Sequence, residues 1–108
     1  MVYTQDELQR IIAPIAKKYS LLAVYLFGSY ARGTATDASD IDLLVDTTGT
    51  TFTSLFSLGA LYCDLEDALG KSIGLITVSS MLQREQIPSD RIFRETILNE
   101  KVDIYVAA

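Results

Sequence analysis

The hydrophobic pattern at the start of the chain predicts an amphipathic helix. Apolar residues recur there at helical spacing, at Leu8, Ile11, Ile12, Ile15 and Ala16. Thr4 and Glu7 have the spacing of a capping box, in which a hydroxyl accepts a hydrogen bond from the amide three residues on and a carboxylate returns one. Pro14 falls inside the pattern, so the helix is expected to kink or split at that point.

Four short segments predict β-strands. Residues 21–27 form an apolar run that is typical of a buried central strand, and the run ends at Gly28. Residues 40–46 begin with alternating acidic and aliphatic side chains and close on an apolar run. The other two strands are predicted at residues 72–78 and 102–106.

Three further helices are predicted around these strands. The first covers residues 52–69 and stops at Gly70, a residue suited to the left-handed position after a helix. A short helix at residues 79–84 precedes one at residues 89–100, whose inner face is expected to present Ile92, Phe93, Thr96 and Ile97. With the short helix left aside, the order is α-β-β-α-β-α-β. It predicts one α/β domain over residues 1–108, with a single small mixed sheet of about four strands flanked by helices.

The composition limits the chemistry that such a domain can perform. Hydrophobic residues make up 49% of the 108 positions, which is enough for a core. The absence of histidine excludes Ser-His-Asp triads, Cys-His pairs and histidine-ligated zinc. A net charge of −5 argues against direct binding of nucleic acid and favours a basic partner or divalent cations.

Cysteine content and the hydrophobic profile give two weaker expectations. Cys63 is the only cysteine, so no intramolecular disulfide can form, and its apolar surroundings predict that it is buried. The first residues have no apolar signal core, and no apolar run reaches the roughly 18 residues of a membrane span. A cytoplasmic location is therefore expected.

The segment from residue 28 to residue 46, GSYARGTATDASDIDLLVD, contains the candidate chemistry. A buried strand ends at Gly28 and Ser29, directly before a turn of small residues that can begin a short helix. Glycine allows the backbone to approach a ligand closely, and amides at a helix start point toward an anion. With the Ser29 hydroxyl as a further donor, this turn is a candidate cradle for a triphosphate.

Two acids, Asp40 and Asp42, follow on the next predicted strand, and ten residues separate the first of them from Ser29. Residues two apart on a strand project from the same face, with Cα atoms roughly 6.5 Å apart. Both carboxylates can then bind one hard cation such as Mg²⁺ or Mn²⁺, which would offset their repulsion. The residues that alternate with them are predicted to face the core: Ile41, Leu43 and Val45.

This segment resembles the signature of the DNA-polymerase-β-like nucleotidyltransferase superfamily, in its minimal branch. That signature is Gly-Ser, ten residues and Asp-x-Asp, with Ala-Arg-Gly after the serine and Ser before the first acid. The chain has every one of these elements, at Gly28, Ser29, Ala31, Arg32, Gly33, Ser39, Asp40 and Asp42. The resemblance extends over nearly the whole chain and implies the nucleotidyltransferase fold.

The resemblance also implies transfer of a nucleoside monophosphate, with ATP as the expected substrate. Asp40 and Asp42 would be the catalytic pair and would hold Mg²⁺ or Mn²⁺. The residues expected to contact the nucleotide are Gly28, Ser29, Arg32 and Ser39. Two roles stay open for Arg32, which either pairs with a phosphate or braces the turn against Asp37.

The chain departs from the family at Gly74. Family members have a third acid there, in a context such as Gly-Lys-x-Ile-Asp-Leu-Ile-Thr, whereas this chain reads GKSIGLIT from Gly70. In the family that acid helps to bind the metal and accepts the proton of the attacking hydroxyl, and loss of a general base costs roughly 10²–10⁴ in rate. The site is therefore either crippled, or slow with two carboxylates, or altered by an engineered substitution.

Other acids in the sequence are poor replacements for the missing one. Asp46 shares the face of the acidic pair but lies roughly 13 Å farther along the strand. Asp103 belongs to the last strand and is remote. Three acids of the preceding helix are expected on its solvated face: Asp64, Glu66 and Asp67.

Two main interpretations of the function follow. In the first, the domain resembles the antitoxin of a HEPN/MNT toxin–antitoxin pair, which transfers AMP from ATP to a tyrosine of a HEPN-type ribonuclease toxin encoded by a neighbouring gene. The two proteins would form a hetero-oligomer. In the second, the domain is catalytically impaired and regulates its partner by binding, which Gly74 supports. Retention of Asp40 and Asp42 speaks against complete decay, and a structural domain with a coincidental motif is the least favoured interpretation.

Overall fold

The structure, a computed structural model, describes residues 2–49, 55–83 and 88–107. These residues form helices and strands that mostly alternate along the chain. The helices are α1 (Gln5–Lys18), α2 (Gly28–Arg32), α3 (Leu55–Leu69), α4 (Val78–Gln83) and α5 (Pro88–Glu100). The strands are β1 (Ala23–Phe27), β2 (Ile41–Asp46), β3 (Ile73–Thr77) and β4 (Val102–Val106). The predicted helix bounds at Phe52 and Arg84 lie outside the described residues.

The strands form one mixed sheet in the order β3-β2-β1-β4. Strand β1 pairs antiparallel with β2 and with β4, and β2 pairs parallel with β3. The two central strands are the most buried, as expected for strands that are covered on both faces. The predicted α/β class with a small mixed sheet is confirmed.

The larger core lies between the sheet and the two long helices α1 and α3. Strand β2 contributes the three residues that were predicted to face inward, and all are fully buried: Ile41, Leu43 and Val45. The helices contribute Leu8, Ile12, Ala16, Leu61, Leu65 and Leu69. A smaller cluster on the other face joins Phe27, Leu44 and Ile97, so that the Asp42 side of the sheet is only partly covered.

Helix α1 has the predicted capping box. The Glu7 amide donates to the Thr4 hydroxyl at 3.1 Å, and the Thr4 amide donates to the Glu7 carboxylate at 2.9 Å. Pro14 does not split the helix, which runs unbroken from Gln5 to Lys18. The proline is exposed, so the backbone acceptor that loses its partner can be hydrated.

Two burial predictions were wrong. Ile92 is 66% exposed and Thr96 is also exposed, so among the described side chains predicted to face inward from α5 only Ile97 is buried. The side chain of Phe93 lies outside the described set. Cys63 is exposed rather than buried, because α3 is apolar on more than the face that meets the core.

The length and composition of the helices determine whether one of them could cross a membrane. Within the described ranges, none combines the length and the apolar character that crossing a bilayer requires.

Candidate active site

The turn after β1 has the conformation that the sequence predicted. Gly28 adopts a positive φ of 72°, which favours glycine, and it begins the five-residue helix α2. Gly33 ends this helix in the left-handed region with a φ of 78°. Ser29 lies at the start of α2, and its carbonyl accepts a hydrogen bond from the Thr34 amide at 2.9 Å.

The loop that leads to the acidic strand is fixed by Ser39. Its hydroxyl accepts a hydrogen bond from the Thr36 amide at 2.9 Å, and its own amide donates to the Thr36 carbonyl at 3.0 Å. From the other side, the Lys71 ammonium donates to the Asp37 carbonyl at 3.0 Å. Ser39 therefore positions Asp40, a contribution that its predicted contact with nucleotide did not include.

The carboxylate of Asp42 lies between two glycines. In the strand register, Asp42 pairs with Phe27 on β1 and with Gly74 on β3. A Cβ atom added at Gly74 would lie 2.6 Å from Asp42 Oδ1, and one added at Gly28 would overlap Asp42 Oδ2. The absence of side chains at both positions is what leaves room for this carboxylate.

Electrostatics of the acidic pair favour a cation. Burial raises the pKa of Asp42, the nearby Asp40 carboxylate raises it further, and Arg32 opposes the shift. Asp40 is exposed at the start of β2. Two carboxylates of this kind are the hard oxygen donors that Mg²⁺ prefers, and a divalent ion would compensate their charge. The residues present therefore fit a divalent cation.

Arg32 is held by an acid that the sequence analysis did not identify. Its Nη1 atom donates to the two carboxylate oxygens of Glu100 at 3.1 and 3.3 Å. Glu100 ends α5 and is 68 residues away along the chain, so no local pattern predicts this pair. The observed partner thus differs from Asp37, the acid predicted to brace Arg32, and contact of Arg32 with a phosphate stays a prediction.

Two of the other acids, Asp46 and Asp64, form hydrogen bonds outside the site. Asp46 accepts a hydrogen bond from the Thr48 amide at 2.9 Å, at the far end of β2. Asp64 accepts from Lys18 at 2.9 Å and from Tyr19 at 2.6 Å, so it ties α3 to the end of α1 and is not simply solvated. Among the residues that the structure describes, no group of three or more acids or cysteines could hold a metal ion.

A comparison with known protein families shows which family the chain belongs to. The sequence model described as polymerase beta, nucleotidyltransferase matches residues 9–106. The chain belongs to this nucleotidyltransferase family. The matched range includes every predicted site residue, from Gly28 to Gly74, and the predicted resemblance is confirmed.

Individual members of the nucleotidyltransferase family extend the comparison. "Putative protein adenylyltransferase MJ0435" of Methanocaldococcus jannaschii is 35% identical over 99 residues, which cover 92% of this chain and 96% of the relative. The crystal structure of a toxin–antitoxin with AMP-PNP has a TM-score of 0.67 at 21% identity, over 92% of this chain and 73% of that chain.

A second solved structure has the same fold. The complex described as a tri-AMPylated Shewanella oneidensis HEPN toxin with its MNT antitoxin has a TM-score of 0.61 at 19% identity. The match covers 96% of this chain and 74% of that chain. At such identities the two structures establish the shared nucleotidyltransferase fold alone.

Proposed function

We propose that this nucleotidyltransferase domain is an antitoxin that transfers AMP from ATP to a tyrosine of a HEPN-type toxin. The observation that supports this most directly is the meeting of Asp40 and Asp42 with the Gly28 turn at one end of the sheet. The names of the curated relative and of the two toxin–antitoxin structures agree with it.

The residues of the site have distinct roles in this proposal. Asp40 and Asp42 would hold Mg²⁺ or Mn²⁺, and the bound ion would neutralise charge that develops on the triphosphate. Gly28 presents its backbone without a side chain, so phosphate oxygens can approach the amides of the turn. Arg32 can contact a phosphate if it exchanges its exposed ion pair with Glu100 for that contact, and such a pair is worth little in water.

The acceptor chemistry is consistent with the glycine at position 74. In the transfer, the acceptor oxygen forms a bond to the α-phosphorus of ATP, pyrophosphate leaves, and the hydroxyl proton is lost to water. A general base contributes roughly 10²–10⁴ to such a step. A tyrosine phenol has a pKa of about 10 and is far more acidic than an aliphatic hydroxyl, so it depends less on a third carboxylate.

The test is adenylylation of the partner followed by intact-mass spectrometry. The chain is incubated with the HEPN-type protein encoded beside it, Mg²⁺ and ATP, and the expected result is a mass gain of one or more AMP units. Asp42→Asn keeps the shape of the side chain but removes its charge, and should abolish the gain. Asp46→Asn, at the other end of the same strand, is the matched control and should retain it.

A Gly74→Asp variant separates this proposal from the second candidate, regulation by binding alone. Gly74 is the observation that favours the second candidate, because it leaves the metal site with two carboxylates. A gain with Gly74→Asp but none with the unaltered chain would mean that the missing acid silences the site. No gain with either, while the two proteins still co-purify, would reject transfer and leave binding as the function.

A further inference from the structure

The solvent-facing side of α3 is apolar from Phe56 to Cys63. Helices on a protein surface normally present charged side chains to water, but the first charged residue of α3 is Asp64. Phe56 is 89% exposed, and Gly59 and Cys63 are exposed at helical spacing from it. An exposed apolar face of this kind is typical of a surface that contacts another molecule.

A groove lies between this helix and the edge strand β3. The α3–β3 groove has a volume of about 290 Å³ and is lined by Leu58, Gly59, Tyr62 and Leu75. It is open above Gly59, where an added Cβ atom would have no neighbour within 4 Å. Sites for small molecules usually span roughly 300–1,000 Å³, so this volume is at the lower end of that range and can hold one or two side chains of a docked polypeptide.

The groove lies on the face of the sheet opposite to Asp42, and it comes near the acidic pair at Asp40. A hydrogen bond to Glu66 raises the pKa of Tyr62, and Asp40 is close enough to add to that effect. The rim of the groove nearest the site is therefore negative, in a chain whose net charge is −5. A basic group is the complementary neighbour.

We propose that the α3–β3 groove docks the acceptor protein. It receives an apolar side chain of that protein, and a basic residue beside this side chain faces Glu66 and Asp40. The inference rests on the proposed function, because transfer requires the acceptor hydroxyl to reach a nucleotide held beside Asp40 and Asp42. The acceptor protein must then contact surface near that pair, and the groove comes near it at Asp40.

Substitution of Gly59 tests the groove directly. Gly59→Arg places a long cation in the groove and should weaken binding of the HEPN-type protein encoded beside this chain by at least about tenfold. Gly59→Ala adds one methyl group in open space and should bind as the unaltered chain does. Dissociation constants are measured by calorimetry without ATP, and thermal unfolding shows that each variant is folded.

Phe56 and Val106 make a second matched pair. Both are exposed, but Val106 is 56% exposed on β4, at the opposite edge of the sheet. Phe56→Ser should weaken binding several-fold, whereas Val106→Ser should not. Equal effects of the two substitutions would contradict a docking surface on α3.

Cys63 offers an independent readout, since it is exposed, follows the groove on α3 and is the only cysteine. A benzophenone attached there should cross-link to one peptide of the partner. A chain with Cys63→Ser and Val106→Cys, labelled in the same way, should give little of that product. Cross-linking of the same peptide from both positions would overturn the assignment.

The outcomes separate this inference from the proposed function. If the unaltered chain transfers AMP and Gly59→Arg binds and transfers equally well, the groove is not the docking surface and the proposed function stands. If the chain binds the protein without transferring AMP, the proposed function fails, and weaker binding by Gly59→Arg still assigns docking to the groove. Absence of binding by the unaltered chain overturns both.

Discussion

At the scale of single residues, the site depends on two positions that have no side chain. Gly28 and Gly74 flank the carboxylate of Asp42, and a Cβ atom at either position would displace it. The two glycines differ in backbone: Gly28 has a positive φ, whereas Gly74 lies in an ordinary strand. A substitution at Gly74 therefore reports contact with Asp42 without backbone strain.

Gly74→Ala and Asp42→Ala should be coupled in a double-mutant cycle. In the unaltered chain, Gly74→Ala should lower the free energy of unfolding, because the new methyl group forces Asp42 to move. In the Asp42→Ala background the same change should raise it, since glycine weakens a strand. We expect a coupling energy of about 1 kcal/mol from urea unfolding of the four proteins in a metal-free buffer. Additive effects would mean that the methyl group is accommodated without contact.

Asp42→Asn should stabilise the metal-free domain at neutral pH. Burial and Asp40 raise the pKa of Asp42, so the unaltered protein gains stability as the pH falls through that raised pKa toward the unfolded value of 3.8. The Asp42→Asn variant should thus be more stable than the unaltered protein at neutral pH, and the difference should vanish below pH 3.8. Thermal unfolding in EDTA measures it. Asp46→Asn is the control, and an equal gain there would point to net charge rather than to the site.

Sequence reasoning was sufficient for some site residues and not for others. The spacing of Asp40 and Asp42 and the alternation of a strand were enough to predict that the pair lies apart from the core face. The packing of Asp42 against Gly74 depends on the register of β3, and the Arg32–Glu100 pair joins residues 68 positions apart. Neither contact has a local signature.

At the scale of elements, α1 and α3 are tied together by Asp64. Its carboxylate accepts hydrogen bonds from Lys18 and Tyr19 at the end of α1. These bonds lower the pKa of Asp64 and raise that of Tyr19 to about 12. The contact therefore connects the two helices that cover the larger core.

Asp64→Asn should lower the melting temperature at neutral pH but not in acid. Because hydrogen bonds lower its folded-state pKa, Asp64 contributes stability above the unfolded value of 3.8, and that contribution is lost as the pH falls through the lower folded value. The melting temperatures of the two proteins should converge at pH values well below 3.8. Asp67→Asn, on the same helix, serves as the control. A difference that persisted in acid would show that the substitution acts through packing.

Elements were predicted well where a local signal fixes them. The capping box began α1 where expected, and Gly70, with a φ of 65°, follows the last residue of α3. The inner face of α5 was mispredicted because Ile92 and Ile97 lie at opposite edges of the predicted apolar stripe, about 140° apart around the helix. Only packing decides which edge is buried. Only Ile97 meets Phe27 and Leu44.

At the scale of the whole molecule, the last strand closes the fold against the first helix. Strand β4 pairs with β1, and its Ile104 is buried in the same core as Leu8 and Ile12 of α1. Helix α1 and strand β4 therefore share one hydrophobic core.

Ile104→Ala should cost about 2–5 kcal/mol, the usual range for a buried isoleucine cut to alanine. Val106→Ala, on the same strand but 56% exposed beyond an irregularity in the β1–β4 register, should cost less than about 0.5 kcal/mol. Urea unfolding followed by circular dichroism measures both. Similar costs for the two substitutions would contradict the inward orientation of Ile104.

The crowding around Asp42 has a consequence for how this domain can change over generations. A glycine codon becomes an aspartate or a glutamate codon through one base change, so a third acid at Gly74 is genetically close. The space that a new side chain would enter is already filled by Asp42 Oδ1. In an ancestor or descendant with an acid at position 74, the Asp42 side chain must therefore adopt a different conformation. One base change at position 74 thus also requires a structural change at position 42.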